Sequence, residues 1–245
     1  MAANWKMYKT PDQTHAFFEK FLPLVNHHDR DEIAVCPPFV CIYAAVEAAR
    51  GSRVSIGGQN IYWQKEGAFT GEISANMLVA AGCSHVIIGH SERRQYFGET
   101  DETVNLKLKA ALEAGLTPIV CVGEGLEERE SGLTEEVVCR QCRALEGIPV
   151  GKAGGLVIAY EPVWAIGTGK TATPQLAASA HQLIRREAAG VFGAEFAANL
   201  RILYGGSVKP DNANALMAEP EIDGALVGGA SLDPTSFAAI VKYQI

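Results

Sequence analysis

Leu156-Val157-Ile158-Ala159-Tyr160 is a continuous apolar run that stops at Glu161-Pro162. Similar runs occur at Ile33–Cys36, Val86–Ile88 and Ile119–Val122. Strands that are apolar without alternation are buried on both faces, which is typical of a parallel sheet covered by helices on each side. These stretches therefore predict an α/β fold built on parallel strands.

The same pattern repeats along the whole chain. Successive strand ends are predicted 23 to 44 residues apart, which is long enough for a crossover helix and too long for a hairpin. Eight such units in 245 residues predict a single-domain (β/α)8 barrel over residues 1–245, and an open doubly wound sheet remains the alternative. The predicted strand ends lie near Trp5, Cys36, Asn60, Gly89, Val122, Glu161, Gly205 and Gly228.

Helices are predicted between the strands. Apolar residues recur at helical spacing from Phe17 to Val25 and from Val104 to Leu112. A cap residue followed by proline marks a helix start at Thr10-Pro11, Thr173-Pro174 and Asp233-Pro234.

Composition narrows the class of protein. The formal charge of −7 disfavours non-specific binding to nucleic acid or to anionic lipid. We expect no membrane-spanning segment and no secretory signal in this sequence. Its six cysteines lie in apolar contexts, which favours reduced thiols and a cytoplasmic location.

Cys139 and Cys142 have the spacing of a redox or zinc motif. They fall within Glu136–Leu145, which is predicted as the interior of a helix. Cys36 and Cys41 could complete a zinc site only from a strand-exit turn, with no histidine nearby in sequence. Buried thiols are therefore the preferred interpretation, and no metal site is predicted.

Polar, glycine-bearing stretches follow the predicted strands. In a (β/α)8 barrel the active site lies at the carboxyl ends of the strands. The stretches are Asn4–Lys6, Gly89–Arg94, Tyr160–Lys170, Tyr204–Val208 and Val227–Ser231.

Two of these stretches suit a phosphate group. Gly205-Gly206-Ser207 follows the seventh strand and Gly228-Gly229 follows the eighth, where barrels of this kind usually bind phosphate. Glycine lets backbone N–H groups approach an oxyanion closely. Each pair alone fits a tight turn, but two pairs in neighbouring loops favour a phosphate site.

Three side chains are candidates for chemistry at the same end of the barrel. His90 closes the fourth strand, and Glu161 closes the sixth with Pro162 fixing its exit. Lys6 follows the first strand and would supply positive charge for an anionic substrate. A structural histidine, a solvated glutamate and a surface lysine are the alternatives.

The segment Gly167-Thr168-Gly169-Lys170 admits two interpretations. As a Walker A loop it lacks the required first glycine, because Trp164 stands there, and as a dinucleotide fingerprint it should follow the first strand of a βαβ unit instead of the sixth. A lid that closes over reactants fits its small, glycine-bearing tip better.

The motifs in order resemble those of triosephosphate isomerases, and the resemblance covers essentially the whole chain. Gly58-Gln59-Asn60 and Gly67–Glu72 are similar to the third loop of that family. The five long motifs are Asn4-Trp5-Lys6-Met7, Gly89-His90-Ser91-Glu92-Arg93-Arg94, Ala159–Lys170, Tyr204-Gly205-Gly206-Ser207-Val208 and Val227-Gly228-Gly229-Ala230.

The resemblance implies a TIM barrel that interconverts dihydroxyacetone phosphate and D-glyceraldehyde 3-phosphate through an enediolate, without cofactor or metal. Glu161 would be the base, and His90 would be the neutral electrophile described for this family. Lys6 and Asn4 would bind substrate and stabilise the enediolate, with Glu92 supporting them. Backbone groups of Gly167, Ser207, Gly228 and Gly229 would hold the phosphate.

The resemblance also implies a homodimer. The loop containing Ile61, Tyr62, Trp63 and Phe69 carries more apolar surface than a solvated connection needs, although it could fold back onto its own barrel. In the family this loop brings Thr70 to the neighbouring subunit's active site.

Two features depart from the family pattern. Only three residues precede Asn4, so a short first strand could weaken closure of the barrel. Tyr8 stands where a smaller side chain is common, at a position that faces the partner subunit.

Two other functions stay open at this point. A barrel that binds a sugar phosphate without turning it over would have the same phosphate loops. An enzyme that uses a nucleotide at Gly167–Lys170 would be protected by that nucleotide instead of by a triose phosphate analogue.

Overall fold

The structure, a computed structural model, describes residues 1–149, 155–165 and 172–244. Within those ranges eight parallel strands follow one another around a closed barrel. The strands are β1 (Ala2–Asn4), β2 (Ile33–Cys36), β3 (Val54–Gly58), β4 (His85–Ile88), β5 (Thr117–Val122), β6 (Val157–Tyr160), β7 (Arg201–Tyr204) and β8 (Gly224–Val227).

The first strand closes the barrel. Ala2 lies opposite Ala34 of β2 on one side and Leu226 of β8 on the other. Every neighbouring pair of strands is parallel, from β1–β2 round to β8–β1. The (β/α)8 prediction is therefore confirmed and the open sheet is wrong, and β1 closes the ring although it is only three residues long.

Helices lie between the strands, as predicted. They are α1 (Pro11–Val25), α2 (Ile42–Ala48), α3 (Ala75–Ala80), α4 (Ser91–Phe97), α5 (Asp101–Glu113), α6 (Leu126–Glu130), α7 (Thr134–Arg143), α8 (Pro174–Phe192), α9 (Ala194–Asn199), α10 (Pro210–Met217) and α11 (Pro234–Val241). Short 3-10 turns occupy Phe39–Cys41, Val163–Ala165 and Gly229–Leu232. In the described part of the chain no helix has the length and apolar character to cross a membrane.

The predicted helix starts are formed by side-chain caps. The Thr10 hydroxyl accepts from Gln13 N while the Gln13 side chain accepts from Thr10 N at 3.0 Å, which completes a capping box. Thr173 caps α8, and the Asp233 carboxylate accepts from Ser236 N at 2.7 Å at the start of α11. Each cap satisfies an N–H group that has no partner within its helix.

Two apolar layers fill the molecule because side chains of a strand alternate between its faces. One set from successive strands, including Cys36, Ile119, Cys121 and Ala159, packs inside the barrel. The other set packs against the helices, where Trp5 and the α1 aromatics meet; the ring centroids of Trp5 and Phe17 are 4.8 Å apart. The interior is filled, so the strands present their chemistry only at their ends.

Candidate active site

A cavity of about 790 Å³ opens at the carboxyl ends of the strands. It brings together residues from the β1, β4, β6, β7 and β8 ends, which are far apart in sequence. Its walls include the predicted site residues Asn4, Lys6, His90, Glu161, Ser207, Gly228 and Gly229. Glu92 lies beside it and contacts Lys6.

Lys6 is held in an unusual backbone conformation. Its φ of 51° is in the left-handed region, which is uncommon for a residue with a side chain. Two side chains hold it there: Asn4 Oδ1 accepts from Lys6 N at 3.0 Å, and Gln59 Nε2 donates to the carbonyls of Lys6 and Cys36 at 2.9 Å each. Strain maintained by surrounding contacts is typical of functional sites.

The Lys6 ammonium reaches into the cavity and lies 2.6 Å from Glu92 Oε1. The charge of the lysine is therefore partly balanced and its position is fixed. Glu92 is in the first turn of α4, so one carboxylate connects the β1 and β4 ends.

Glu161 follows β6 and is almost completely buried. Its Oε1 lies 2.9 Å from His90 Nε2, and its Oε2 accepts from Ser91 N at 2.9 Å. Burial by itself raises the pKa of Glu161, but His90, the Ser91 N–H and the Cys121 thiol together hold it below its usual range. The lowered pKa favours an ionised carboxylate facing the imidazole.

The tautomer of His90 follows from its contacts. His90 caps α4, and its Nδ1 accepts from Glu92 N at 3.2 Å. An accepting Nδ1 carries no proton, so the proton of the neutral ring is on Nε2, which points at Glu161. Burial lowers the pKa of His90, while the Glu161 and Glu92 carboxylates raise it to a net upward shift.

That upward shift depends on where Glu161 lies. Without Glu161 beside the imidazole, burial and the Lys6 charge favour the neutral ring, and the Glu92 N–H occupies the Nδ1 lone pair. The Glu92 carboxylate still favours the charged ring.

Two glycines make room for Glu161. A Cβ at Gly123 would overlap the carbonyl oxygen of Glu161, and a Cβ at Gly205 would lie 2.9 Å from Glu161 Cγ. Gly123 also has a φ of 156°, which side chains rarely adopt. Glu161 is therefore positioned by the ends of β5 and β7 as well as by its own strand.

The two predicted phosphate loops face the same cavity. Ser207 lies between β7 and α10, and Asn212 Nδ2 donates to its carbonyl at 3.0 Å. Gly228 and Gly229 follow β8, where the Ser231 hydroxyl donates to the Gly228 carbonyl at 2.7 Å. Gly167 and the rest of the predicted lid, together with the nucleotide alternative at Gly167–Lys170, lie outside the described residues.

Glu124 is a buried carboxylate that the sequence analysis missed, and it contacts Trp164 in the segment between Glu161 and the predicted lid. Glu124 is fully buried and accepts from Trp164 Nε1 at 2.9 Å, from the Tyr160 hydroxyl at 3.1 Å and from Arg129 at 3.1 Å. It joins the β5 end to the residues after Glu161. Nothing in its local sequence distinguishes it from a solvated glutamate.

Gln59 was also missed as a site residue, although the motif around it was noted. A second buried cluster supports the β4 end: Glu99 accepts from Gly89 N at 2.8 Å and from Lys107 Nζ at 2.5 Å. Lys107 also donates to Asn60 Oδ1 at 2.8 Å, which connects the β3 and β4 ends.

The loop after β3 is partly packed and partly exposed. Ile61 is buried, and Tyr62 stacks on Trp63 and lies against Phe69, with centroids 4.0 Å and 4.5 Å apart. Thr70 is exposed and does not line the cavity of its own chain.

The pair Cys139 and Cys142 has the surroundings of structural cysteines. Cys139 and Cys142 are both on α7, buried and unbridged, as predicted. Among the described residues no group of three His, Cys, Asp or Glu side chains converges as a metal site would need.

Comparison with known proteins gives a consistent result. The sequence model described as triosephosphate isomerase matches residues 1–244. The chain is 62% identical over 244 residues to a triosephosphate isomerase of Solibacter usitatus, covering 99% of this chain and 98% of the relative. It is 58% identical to one of Moorella thermoacetica, covering 100% and 98%.

A solved structure agrees with the sequence relatives. The crystal structure of triosephosphate isomerase from Bartonella henselae superposes with a TM-score of 0.89 at 40% identity, covering 98% of this chain and 96% of the other. Because its sequence and its structure match this family over nearly their full length, this chain belongs to the triosephosphate isomerase family.

Proposed function

We propose that the protein interconverts dihydroxyacetone phosphate and D-glyceraldehyde 3-phosphate through an enediolate, with Glu161 as base and His90 as electrophile. One observation carries the proposal: Glu161 Oε1 and His90 Nε2 are 2.9 Å apart on a cavity that Lys6 and both glycine loops also line. A triose phosphate needs these three kinds of group at once.

Glu161 moves the proton between carbons. Its carboxylate takes a proton from the carbon next to the substrate carbonyl, and the electron pair of that C–H bond forms the C=C bond of the enediolate. A second proton moves from the hydroxyl of the first carbon to the former carbonyl oxygen by way of His90 Nε2. The same carboxyl group returns its proton to the former carbonyl carbon, and these two transfers complete the isomerisation without any net oxidation. Glu161 must first exchange its contacts with His90 and Ser91 N for the substrate C–H, which keeps the base ionised until substrate arrives.

His90 and Lys6 stabilise the negative charge that develops on the substrate oxygens. The Nε2–H of His90 is oriented by the Glu92 N–H at its other nitrogen, so it donates without reorganising. The Lys6 ammonium adds a full positive charge, positioned by Glu92 and by the strained backbone that Asn4 and Gln59 support.

The phosphate is held by backbone groups of Ser207, Gly228 and Gly229, and we include Gly167 from the loop after Glu161. Binding energy at the phosphate fixes the reacting carbons against Glu161, because the two ends of a triose are only a few bonds apart. The residues of the chain supply every proton transfer, and we expect activity to persist after treatment with EDTA.

A coupled isomerase assay tests the proposal. The purified protein should turn over both triose phosphates, and Glu161→Ala should lower turnover by two to four orders of magnitude while the circular dichroism spectrum stays unchanged. Binding of 2-phosphoglycolate without turnover would identify a phosphosugar-binding barrel, and protection by ATP or NAD would identify the nucleotide alternative. A folded Glu161→Ala variant with near wild-type turnover would remove Glu161 as the base.

We also propose that two copies form the functional unit. Large apolar side chains are exposed after β1, β2 and β4, including Met7 in a loop at 94%, Tyr43 on α2 at 76% and Phe97 on α4 at 68% exposure. Apolar surface concentrated on one side of a protein marks an interface. The loop of Thr70 would reach the partner subunit's Asn4 and Lys6.

Light scattering tests the homodimer. We expect a dimer at micromolar concentration, and Thr70→Arg should shift it toward monomer and lower activity in parallel, because a long charged side chain would enter the interface. Exposed Lys109→Ala on α5 is the control and should change neither. An active wild-type monomer would contradict the proposal.

We propose a cytoplasmic location for the protein. All six cysteines are free thiols, and they are buried, which suits a reducing compartment. Fractionation of the source cells should recover the isomerase activity with cytoplasmic markers; recovery in an oxidising compartment would contradict this.

A further inference from the structure

Few positive charges line the catalytic cavity, although the proposed substrate is an anion. Of the described residues on its walls, the lysines are Lys6 and Lys209. Lys6 is paired with Glu92 at 2.6 Å. Lys209 is exposed at the rim and forms no salt bridge with the part of the chain that the structure describes.

The backbone holds Lys209 at this rim. Asn212 Oδ1 accepts from Lys209 N at 2.8 Å, and Asn212 Nδ2 donates to the Ser207 carbonyl at 3.0 Å. One side chain therefore braces both the phosphate loop and Lys209, two residues further on. Val208 between them is buried, so Lys209 cannot move far without disturbing the loop.

The charge of the whole molecule makes this position important. The protein carries a formal charge of −7, and a phosphate monoester carries close to two negative charges at pH 7. The long-range field therefore repels the substrate. A local positive charge at the mouth of a cleft can reverse that effect near the entrance and raise the association rate.

We propose that Lys209 steers phosphate-bearing substrates into the cavity and thereby sets their association rate. This inference rests on the proposed function for the identity of the substrate, but its physical basis is the charge at the rim. Lys209 acts before the chemical steps, so it affects kcat/KM and leaves kcat unchanged.

Asp211 provides an internal check on the sign of the effect. It lies on the same cavity wall, in the first turn of α10, and carries the opposite charge. If charge at the rim controls association, neutralising Asp211 should act in the opposite direction from neutralising Lys209.

The test measures kcat/KM and the association rate of 2-phosphoglycolate at low and high ionic strength. At about 10 mM salt, where the Debye length is about 30 Å, Lys209→Gln should lower both quantities roughly three- to ten-fold, and Lys209→Glu should lower them further. Asp211→Asn should raise both. At about 1 M salt, where the Debye length is about 3 Å, all differences should nearly disappear.

Lys109→Glu is the matched control. This substitution changes the net charge as much as Lys209→Glu does. Lys109 is exposed on α5 and does not line the cavity, so the change is made away from the rim. It should change the association rate less than two-fold at low salt. This comparison separates charge at the rim from net charge.

Three results would overturn the inference. They are an unchanged association rate in Lys209→Glu at low salt, a lowered kcat/KM that persists at high salt, or a weaker affinity that comes only from faster dissociation. The last two would make Lys209 a direct contact of the bound phosphate. Failure of the proposed function is distinguishable, because the wild-type protein would then not isomerise at all while the 2-phosphoglycolate arm still reports on steering.

Discussion

His181 of α8 is completely buried, and its Nδ1 donates to the Glu221 carbonyl at 3.0 Å. Its Nε2 has no hydrogen-bond partner among the described residues, and its ring packs edge-on against Tyr160, the last residue of β6. Burial lowers the pKa of His181 from 6.5 to about 4. The fold therefore requires a neutral imidazole behind the strand that leads to Glu161.

The pH dependence of stability follows from this shift. Between pH 6.5 and about 4 the unfolded chain binds a proton at His181 that the folded chain does not, so stability falls as the pH is lowered through this range. The difference in pKa corresponds to on the order of 3 kcal/mol. His181→Gln keeps the donor to Glu221 and removes the titration.

Urea unfolding at pH 7.5 and pH 4.5 measures the effect. The wild type should lose roughly 2–3 kcal/mol more than His181→Gln over this interval, because most of the His181 contribution falls within it. Equal losses in the two proteins would show that other groups account for the acid sensitivity.

Individual supporting residues were the least predictable part of the site. Glu161, His90 and Lys6 follow strand ends, so their position along the chain pointed to the cavity. Gln59 and Glu124 act through partners 53 and 40 residues away, Lys6 and Trp164. No local pattern encodes such contacts, because they exist only after the barrel has closed.

At the scale of the element, the strand ends decide where chemistry can occur. The sequence predicted each end to within about two residues, since an apolar run followed by a polar residue, glycine or proline is a strong local signal. Capping residues are also a strong local signal, and they predicted the starts of α1, α8 and α11. The helix around Cys142 ends at Arg143, two residues earlier than predicted.

Replacing Gly123 tests whether the end of β5 positions Glu161. In Gly123→Ala the new methyl group would meet the Glu161 carbonyl, and the φ of 156° would be strained. We expect a loss of on the order of 3 kcal/mol in the free energy of unfolding and a large loss of kcat.

Gly132→Ala is the matched control. Gly132 also has a positive φ, 74°, but its Cβ would meet nothing within 4 Å. This variant should lose about 1 kcal/mol and keep its kcat. If Gly123→Ala resembled it in both measurements, close packing of the β5 end against Glu161 would not position the base.

At the scale of the whole molecule, closure of the barrel brings the active site together. Lys6 lies 86 residues from Glu92, and Ser91 lies 70 residues from Glu161, yet each pair is in direct contact. Periodicity predicted the number of units but left an open sheet possible, because local patterns do not specify whether the first and last strands pair. The pairing of β1 with β8 decides it.

Hydrogen exchange at the substrate carbon tests the central claim most directly. Dihydroxyacetone phosphate is incubated in D2O with wild type or Glu161→Gln, and incorporation of deuterium next to the carbonyl is followed by NMR. We predict rapid incorporation with wild type and a rate about 10² to 10⁴ lower with Glu161→Gln, which should still bind 2-phosphoglycolate. Incorporation by a folded Glu161→Gln variant at close to the wild-type rate would contradict the assignment of Glu161 as the group that removes the proton.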